Sequence, residues 1–224
     1  MIITFSGVDC AGKSTQIDEL ILSLNENNHP TYYLWSRGGY TLGIEMIKNI
    51  FRFFLGNRLF PSGKSKKRTK TMSNPIFSRI WLNAAILDLI FFYCILLRFK
   101  SFIGKIVICD RYVVDTYLDF SLNFPHISFE KMWLWRLLIK LHPKPALSFL
   151  FILPVTDSIE RSRKKNEPFP DSKEFFEKRL NGYQNSHLCA GDNWINIDGL
   201  DSIELTKKII KKKVFHKLAT YHAS

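Results

Sequence analysis

Acidic residues are scarce in this chain relative to basic ones, with 20 Asp and Glu against 32 Lys and Arg and a net charge of +12. That imbalance favours anionic partners, and nucleotide phosphates, nucleic acid and acidic lipid all fit it. Cysteines are few and scattered. Cys10, Cys94, Cys109 and Cys189 have no close pairing, and two of them sit inside apolar segments, a usage that suits a reducing, cytoplasmic setting and no thiolate metal site. No basic leader, long apolar stretch and cleavage site stand at the N-terminus, so the mature chain is expected to begin with its first strand. Internal repeats and linker-like segments are missing as well. The longest apolar stretch, residues 80–97, is interrupted by Asn83 and Asp88 and is just long enough to raise the question of a bilayer crossing. Asp88 in its middle would add about 2.5–3.5 kcal/mol to insertion. A crossing would also strand residues 105–110 on the far side from residues 5–16, although both belong in one sheet. A core helix buried against that sheet is expected, with peripheral membrane contact as the lesser alternative.

What the chain does contain is 46% hydrophobic residues over 224 positions, enough for a sizeable core in a single domain spanning residues 1–224. It is organised around Phe5-Ser6-Gly7-Val8-Asp9-Cys10-Ala11-Gly12-Lys13-Ser14-Thr15-Gln16, where Gly7 to Ser14 fits G-x-x-x-x-G-K-[ST] between an apolar β-rich run and a helix over residues 15–24. Backbone N–H groups of such a loop and the following helix N-terminus form an anion cradle suited to polyphosphate. Gly7 and Gly12 leave the backbone free to turn and to approach a ligand closely. Gly7, Ala11, Gly12, Lys13, Ser14 and Thr15 are therefore the candidate ATP-binding residues, with Lys13 on the β- and γ-phosphates and the Ser14 hydroxyl on Mg²⁺.

Residues 31–36 read as a second strand. At its end Arg37-Gly38-Gly39-Tyr40-Thr41 stands where open α/β sheets bind ligands, and an arginine there can fork onto a phosphate. Residues 42–55 have helical apolar spacing, and Lys64 to Lys70 form a basic run that reads as a solvated loop. Asn74-Pro75 marks a helix start. Residues 105–110 read as a buried strand closing on Asp110, followed by Arg111-Tyr112. A carboxylate at that tip can hold Mg²⁺, and the arginine beside it can neutralise phosphate charge. Residues 115–141 are expected to be helical, with Trp133 and Trp135 in the core. Residues 147–153 form another strand, 157–165 a helix carrying Arg161 and Arg163, 172–186 a helix, 194–197 the last strand and 202–215 a terminal helix. Arg161 and Arg163 sit on an element that could close over ATP, a lid spanning about residues 157–172. Five strands alternating with helices imply a doubly wound parallel sheet, with helices on both faces in three layers.

In combination these motifs resemble the thymidylate kinase family of P-loop nucleoside monophosphate kinases, over nearly the whole chain. Residues 5–16 are similar to that family's phosphate loop, 37–45 to its arginine with paired glycines, though two residues shorter after Arg37, and 104–112 to its G-x-x-V-x-x-D-R-Y strand. Arg161, Arg163 and Glu167 fall where the family has its lid, Tyr183 where the next helix carries a tyrosine, and residues 197–199 in the stretch near adenine. The resemblance implies Mg²⁺-dependent transfer of the ATP γ-phosphoryl group to a phosphate-bearing small molecule, most simply dTMP to dTDP. Lys13, Asp9, Arg111, Arg161 and Arg163 would be the catalytic residues, and Asp9, Arg37, Arg111, Tyr112 and Asp115 the acceptor contacts. Ser14 and Asp110 would hold the metal, and a homodimer with no nucleic-acid partner is expected. Three departures concern the acceptor. Residues 81–87 carry no pyrimidine-reading arginine, Asp115 replaces a serine with no glutamine near Phe120, and Pro145-Ala146 replaces a proline-aspartate pair. A kinase of a sugar or another small molecule in glycan assembly is the first alternative, and a nucleotide-dependent binding module the second.

Overall fold

The computed structural model describes residues 1–36, 74–165, 172–189 and 194–221. The expected helix at 42–55, Arg37 with its glycines, the basic run Lys64 to Lys70, and Glu167 lie outside the described residues. The chain divides into two compact units, one formed by Met1–Trp35, Phe99–Leu118 and Lys144–Ser224, the other by Ser36–Arg98 and Asp119–Pro143.

The first unit holds the whole sheet, whose strands are β1 (Ile2–Gly7), β2 (Thr31–Trp35), β3 (Ile106–Asp110), β4 (Leu147–Ile152) and β5 (Trp194–Asp198). They run in the order β2-β3-β1-β4-β5, all parallel, and helices cover the sheet in the expected three-layer α/β arrangement. Every residue of β1 and β3 is buried, as befits central strands covered on both faces. Phe5, Phe149 and Phe151 pack ring to ring at their middle, with centroids 5.1 and 6.0 Å from Phe5. The connection leaving β1 passes beyond β3, while the one leaving β3 passes beyond β1. The carboxyl ends of these neighbours thus form the switch point where such sheets take ligands. Register places Phe5 opposite Asp110 and Gly7 opposite Phe151.

Helix α1 (Lys13–Glu26) follows the loop, starting two residues before the sequence suggests. Helix α2 (Pro75–Phe102) starts at the expected place, because the Asn74 side chain accepts from the N–H groups of Ile76 and Phe77 at 3.0 and 3.4 Å and Pro75 needs no such partner. It is long and apolar enough to cross a membrane, and half of its most apolar window is buried inside the protein. Its middle, Ile90–Leu96, is a π-helical stretch in which Leu97 N–H bonds Phe92 O, five residues back.

The helix expected over 115–141 is broken in two. Helix α3 (Val113–Asn123) stops before Pro125, which has no N–H to continue the ladder, and after a 3₁₀ turn at Phe129–Lys131 helix α4 (Trp133–Leu141) begins. Trp135 is core, packed edge to face on Phe129 at 5.0 Å. Trp133 is not, with 69% of its surface exposed. As the first residue of α4 it faces away from the stripe Leu134, Trp135 and Leu138. Trp81, Phe120 and Phe124 complete this aromatic cluster in the second unit. Helices α5 (Val155–Lys164), α6 (Lys173–Asn185, capped by Ser172) and α7 (Ile203–Tyr221) finish the first unit.

Candidate active site

The loop after β1 is shaped by backbone conformations that side chains rarely adopt, with Gly7 at φ 129°, Cys10 at 63° and Gly12 at 89°. The two glycines are needed for different reasons. A Cβ on Gly7 would lie 2.1 Å from the Phe151 carbonyl oxygen, so it is the adjacent strand that demands glycine there. At Gly12 there is open space, and the positive φ alone favours glycine. Val8 N–H bonds the same Phe151 carbonyl at 3.2 Å, which pins the start of the loop to β4.

Lys13 opens α1 and is buried, its Nζ donating to the carbonyls of Gly7 at 3.1 Å and Val8 at 2.5 Å. Burial, with the charge of Arg111, lowers its ammonium to about 8, against the pull of Asp9, Asp110 and Asp115. Ser14 and Thr15 are exposed at the N-terminus of α1, and Ala11 is buried. Asp110 closes β3 and accepts from the Tyr33 hydroxyl at 3.3 Å. Burial pushes its carboxyl above the usual range although Lys13 and Arg111 oppose it.

Arg111 has φ 75°, a left-handed conformation costing about 1–2 kcal/mol. Its N–H bonds Phe5 O at 2.8 Å, and its guanidinium pairs with Asp9 and, at 3.4 Å, with Asp115. Asp115 stands one helical turn further on, expected to touch an acceptor but 1% exposed. Its oxygens accept from Ser6 Oγ and Tyr183 OH, both at 2.6 Å, and from Tyr112 N–H at 2.9 Å. With its lone pairs used inside the protein, Asp115 braces the loop, strand and helix. Tyr112 is likewise buried. Burial and then Asp115 push the Tyr183 phenol up, which keeps it a donor.

Arg161 on α5 reaches the loop, donating to Cys10 O at 3.4 Å and to Gly199 O at 3.0 Å in the turn after β5. Arg163 is exposed on the same helix. The first unit therefore brings together Lys13, Asp9, Arg111, Asp115 and Asp110, with Arg161 on the loop's outer turn.

One charged residue of this cluster was absent from the sequence reading. Arg179 of α6 is fully buried, with Nη1 3.7 Å from Asp9 Oδ2. It lies one turn before Tyr183, so a single face of α6 delivers both. The signal was there in Phe176, Arg179, Leu180 and Tyr183 at i, i+3, i+4 and i+7, with a cation inside an otherwise apolar stripe. Tyr33, the hydroxyl partner of Asp110, was missed because nothing but strand register connects residues 33 and 110.

Among the described residues no three His, Cys, Asp or Glu side chains gather into a protein-only cation cage. A magnesium ion needs none when phosphates supply most of its oxygens, and the hard oxygen donors Ser14 and Asp110 fit such a site. Comparison of the chain with models of known protein families and with curated proteins finds no significant match.

Proposed function

We propose that this protein is a phosphotransferase that moves the γ-phosphoryl group of ATP to a phosphorylated small molecule, with a nucleoside monophosphate, most simply dTMP, as acceptor. The observation that carries this reading is the placing of Lys13, Asp9, Asp110 and Arg111 at the carboxyl ends of adjacent strands β1 and β3, around a loop with glycine where φ is positive.

Lys13 and the loop N–H groups would bind the donor phosphates, and Arg161 would add a cation at the outer turn of the loop. Ser14 and Asp110 would hold Mg²⁺, which when bound neutralises charge on the β- and γ-phosphates. In the reaction one P–O bond to ADP breaks and one to the acceptor forms. Positioning and fixed positive charge then do most of the catalysis. The charge network supports a phosphate as the attacking group. A hydroxyl acceptor must give up a proton, yet Asp9 is engaged by Arg111 and Arg179 and Asp115 by several donors, and Asp110 would be taken by the metal. A phosphate oxygen attacks without that step. The likeness of the sequence motifs to thymidylate kinases supports the same acceptor class.

The test is an ADP-release assay with Mg-ATP across dTMP, dUMP, other monophosphates and free sugars. Turnover with at least one monophosphate, abolished in Lys13→Ala, is expected. Turnover with sugars alone would replace the acceptor class, and acceptor-independent hydrolysis alone would leave only a nucleotide-binding module.

A further inference from the structure

The second unit carries 14 Lys and Arg against 4 Asp and Glu, a net +10 of the chain's +12, with nine of those cations and one carboxylate outside the described residues. Among its described residues Arg79, Arg98, Lys131, Arg136 and Lys140 are exposed, and Glu130 is the one exposed carboxylate. Asp88 and Asp119 are buried. Against this cationic background α2 exposes an uncharged stripe of Ile76, Ile80, Leu87, Phe91 and Ile95, at 72, 63, 53, 52 and 57% exposure. Between Arg79 and Arg98 every exposed residue of the helix is apolar.

The spacing of the stripe is itself informative. Successive steps of four residues drift around a regular α-helix, and Phe91 and Ile95 would wind away from Leu87. The wider π turn at Ile90–Leu96 reduces that drift and keeps Phe91 and Ile95 beside Leu87. Five large side chains in one line make a larger continuous apolar surface than isolated exposed residues do.

From this pairing of an apolar stripe with exposed cations we infer that the second unit docks on an anionic lipid surface, with the stripe of α2 in the headgroup and acyl boundary and the unit's exposed cations, Arg79 and Arg98 at the ends of the stripe among them, on the acidic headgroups. Charge complementarity selects this occupant. A second copy of the chain would bring the same exposed Arg79 and Arg98 against the first. A nucleic acid would take the charge but offers no apolar layer for Ile80, Leu87 and Ile95. Half of the helix's apolar window is buried inside the protein, which favours lying on the surface over a full crossing. The inference is independent of the proposed phosphoryl transfer.

Co-sedimentation of the full chain with phosphatidylcholine vesicles, with and without phosphatidylglycerol, tests it. Binding to the anionic vesicles, weak binding to the neutral ones, and release on raising salt are expected. The double substitution Leu87→Gln with Phe91→Gln leaves the charge unchanged and is expected to weaken anionic-vesicle binding about tenfold or more. Arg136→Gln with Lys140→Gln leaves the stripe unchanged and is expected to weaken it as well. Melting curves of both variants check that the fold is kept. No binding to anionic vesicles, or binding by a folded stripe variant equal to that of the wild type, overturns the inference. So does self-association of the lipid-free chain that the stripe substitutions abolish, which would assign the face to a second copy.

Discussion

Lys13 illustrates how burial sets a chemical property at a single residue. Its ammonium, lowered to about 8 by burial, is fully charged below that pH and becomes neutral above it. ATP would hold the charged form, so binding at pH 8–9 is expected to take up protons. Calorimetry in buffers of differing ionisation heat should show that uptake, and Lys13→Met should remove it. The unfolded chain keeps Lys13 protonated up to about 10.4, so between these values the unfolded state binds more protons and wild-type stability rises with pH relative to Lys13→Met. Arg111 is buried against Asp9 and Asp115. Arg111→Leu removes the buried cation shared by these carboxylates, leaving Asp9 with Arg179 and Asp115 with its neutral donors, and urea unfolding should show a loss of about 3 kcal/mol. For Arg179→Leu, which leaves Asp9 with Arg111, the Michaelis constant for the acceptor should rise about tenfold while that for ATP changes little. Equal change in both would reduce Arg179 to a packing role. Lys13 and Arg111 could be found from the sequence because motif residues lie within a few positions of strand ends. The apolar stripe of α6 could single out Arg179 but not its pairing, because Asp9 is 170 positions away and the two meet only after α6 has docked.

Among the elements, the phosphate loop was the most legible, since glycine spacing, lysine and a following helix all name the same local structure. Even so the reason for Gly7 was hidden, because a close approach between β1 and β4 depends on register. Gly7→Ala must move backbone, and chemical denaturation should show a loss above about 3 kcal/mol. Gly12→Ala, strained only through φ, should lose about 1 kcal/mol. Helix α2 was readable in its Asn-Pro start, while its apolar run marked only residues 80–97 of a helix that continues to Phe102. Its π stretch was not readable, since no residue type there forces five-residue hydrogen bonding. The break near Pro125 was available in the sequence, yet the apolar periodicity on both sides concealed it and carried Trp133 wrongly into the core.

For the molecule as a whole, alternating strands and helices made the parallel sheet legible, whereas the strand order came only from the structure. Sheet position predicts hydrogen exchange. Amides of Ile3 and Phe5 in central β1 should exchange slowest, and those of edge strands β2 and β5, whose residues are partly exposed, faster by orders of magnitude. The same order, β2-β3-β1-β4-β5, has a consequence for biosynthesis. Strand β1 leaves the ribosome first, but both its partners are encoded more than a hundred codons downstream. The nascent β1 segment, destined for burial on both faces, must wait unpaired until β3 and then β4 emerge, a long interval in which chaperone binding would be most needed. Slowing translation upstream of codon 106 should therefore lower the soluble yield more than slowing it after codon 152.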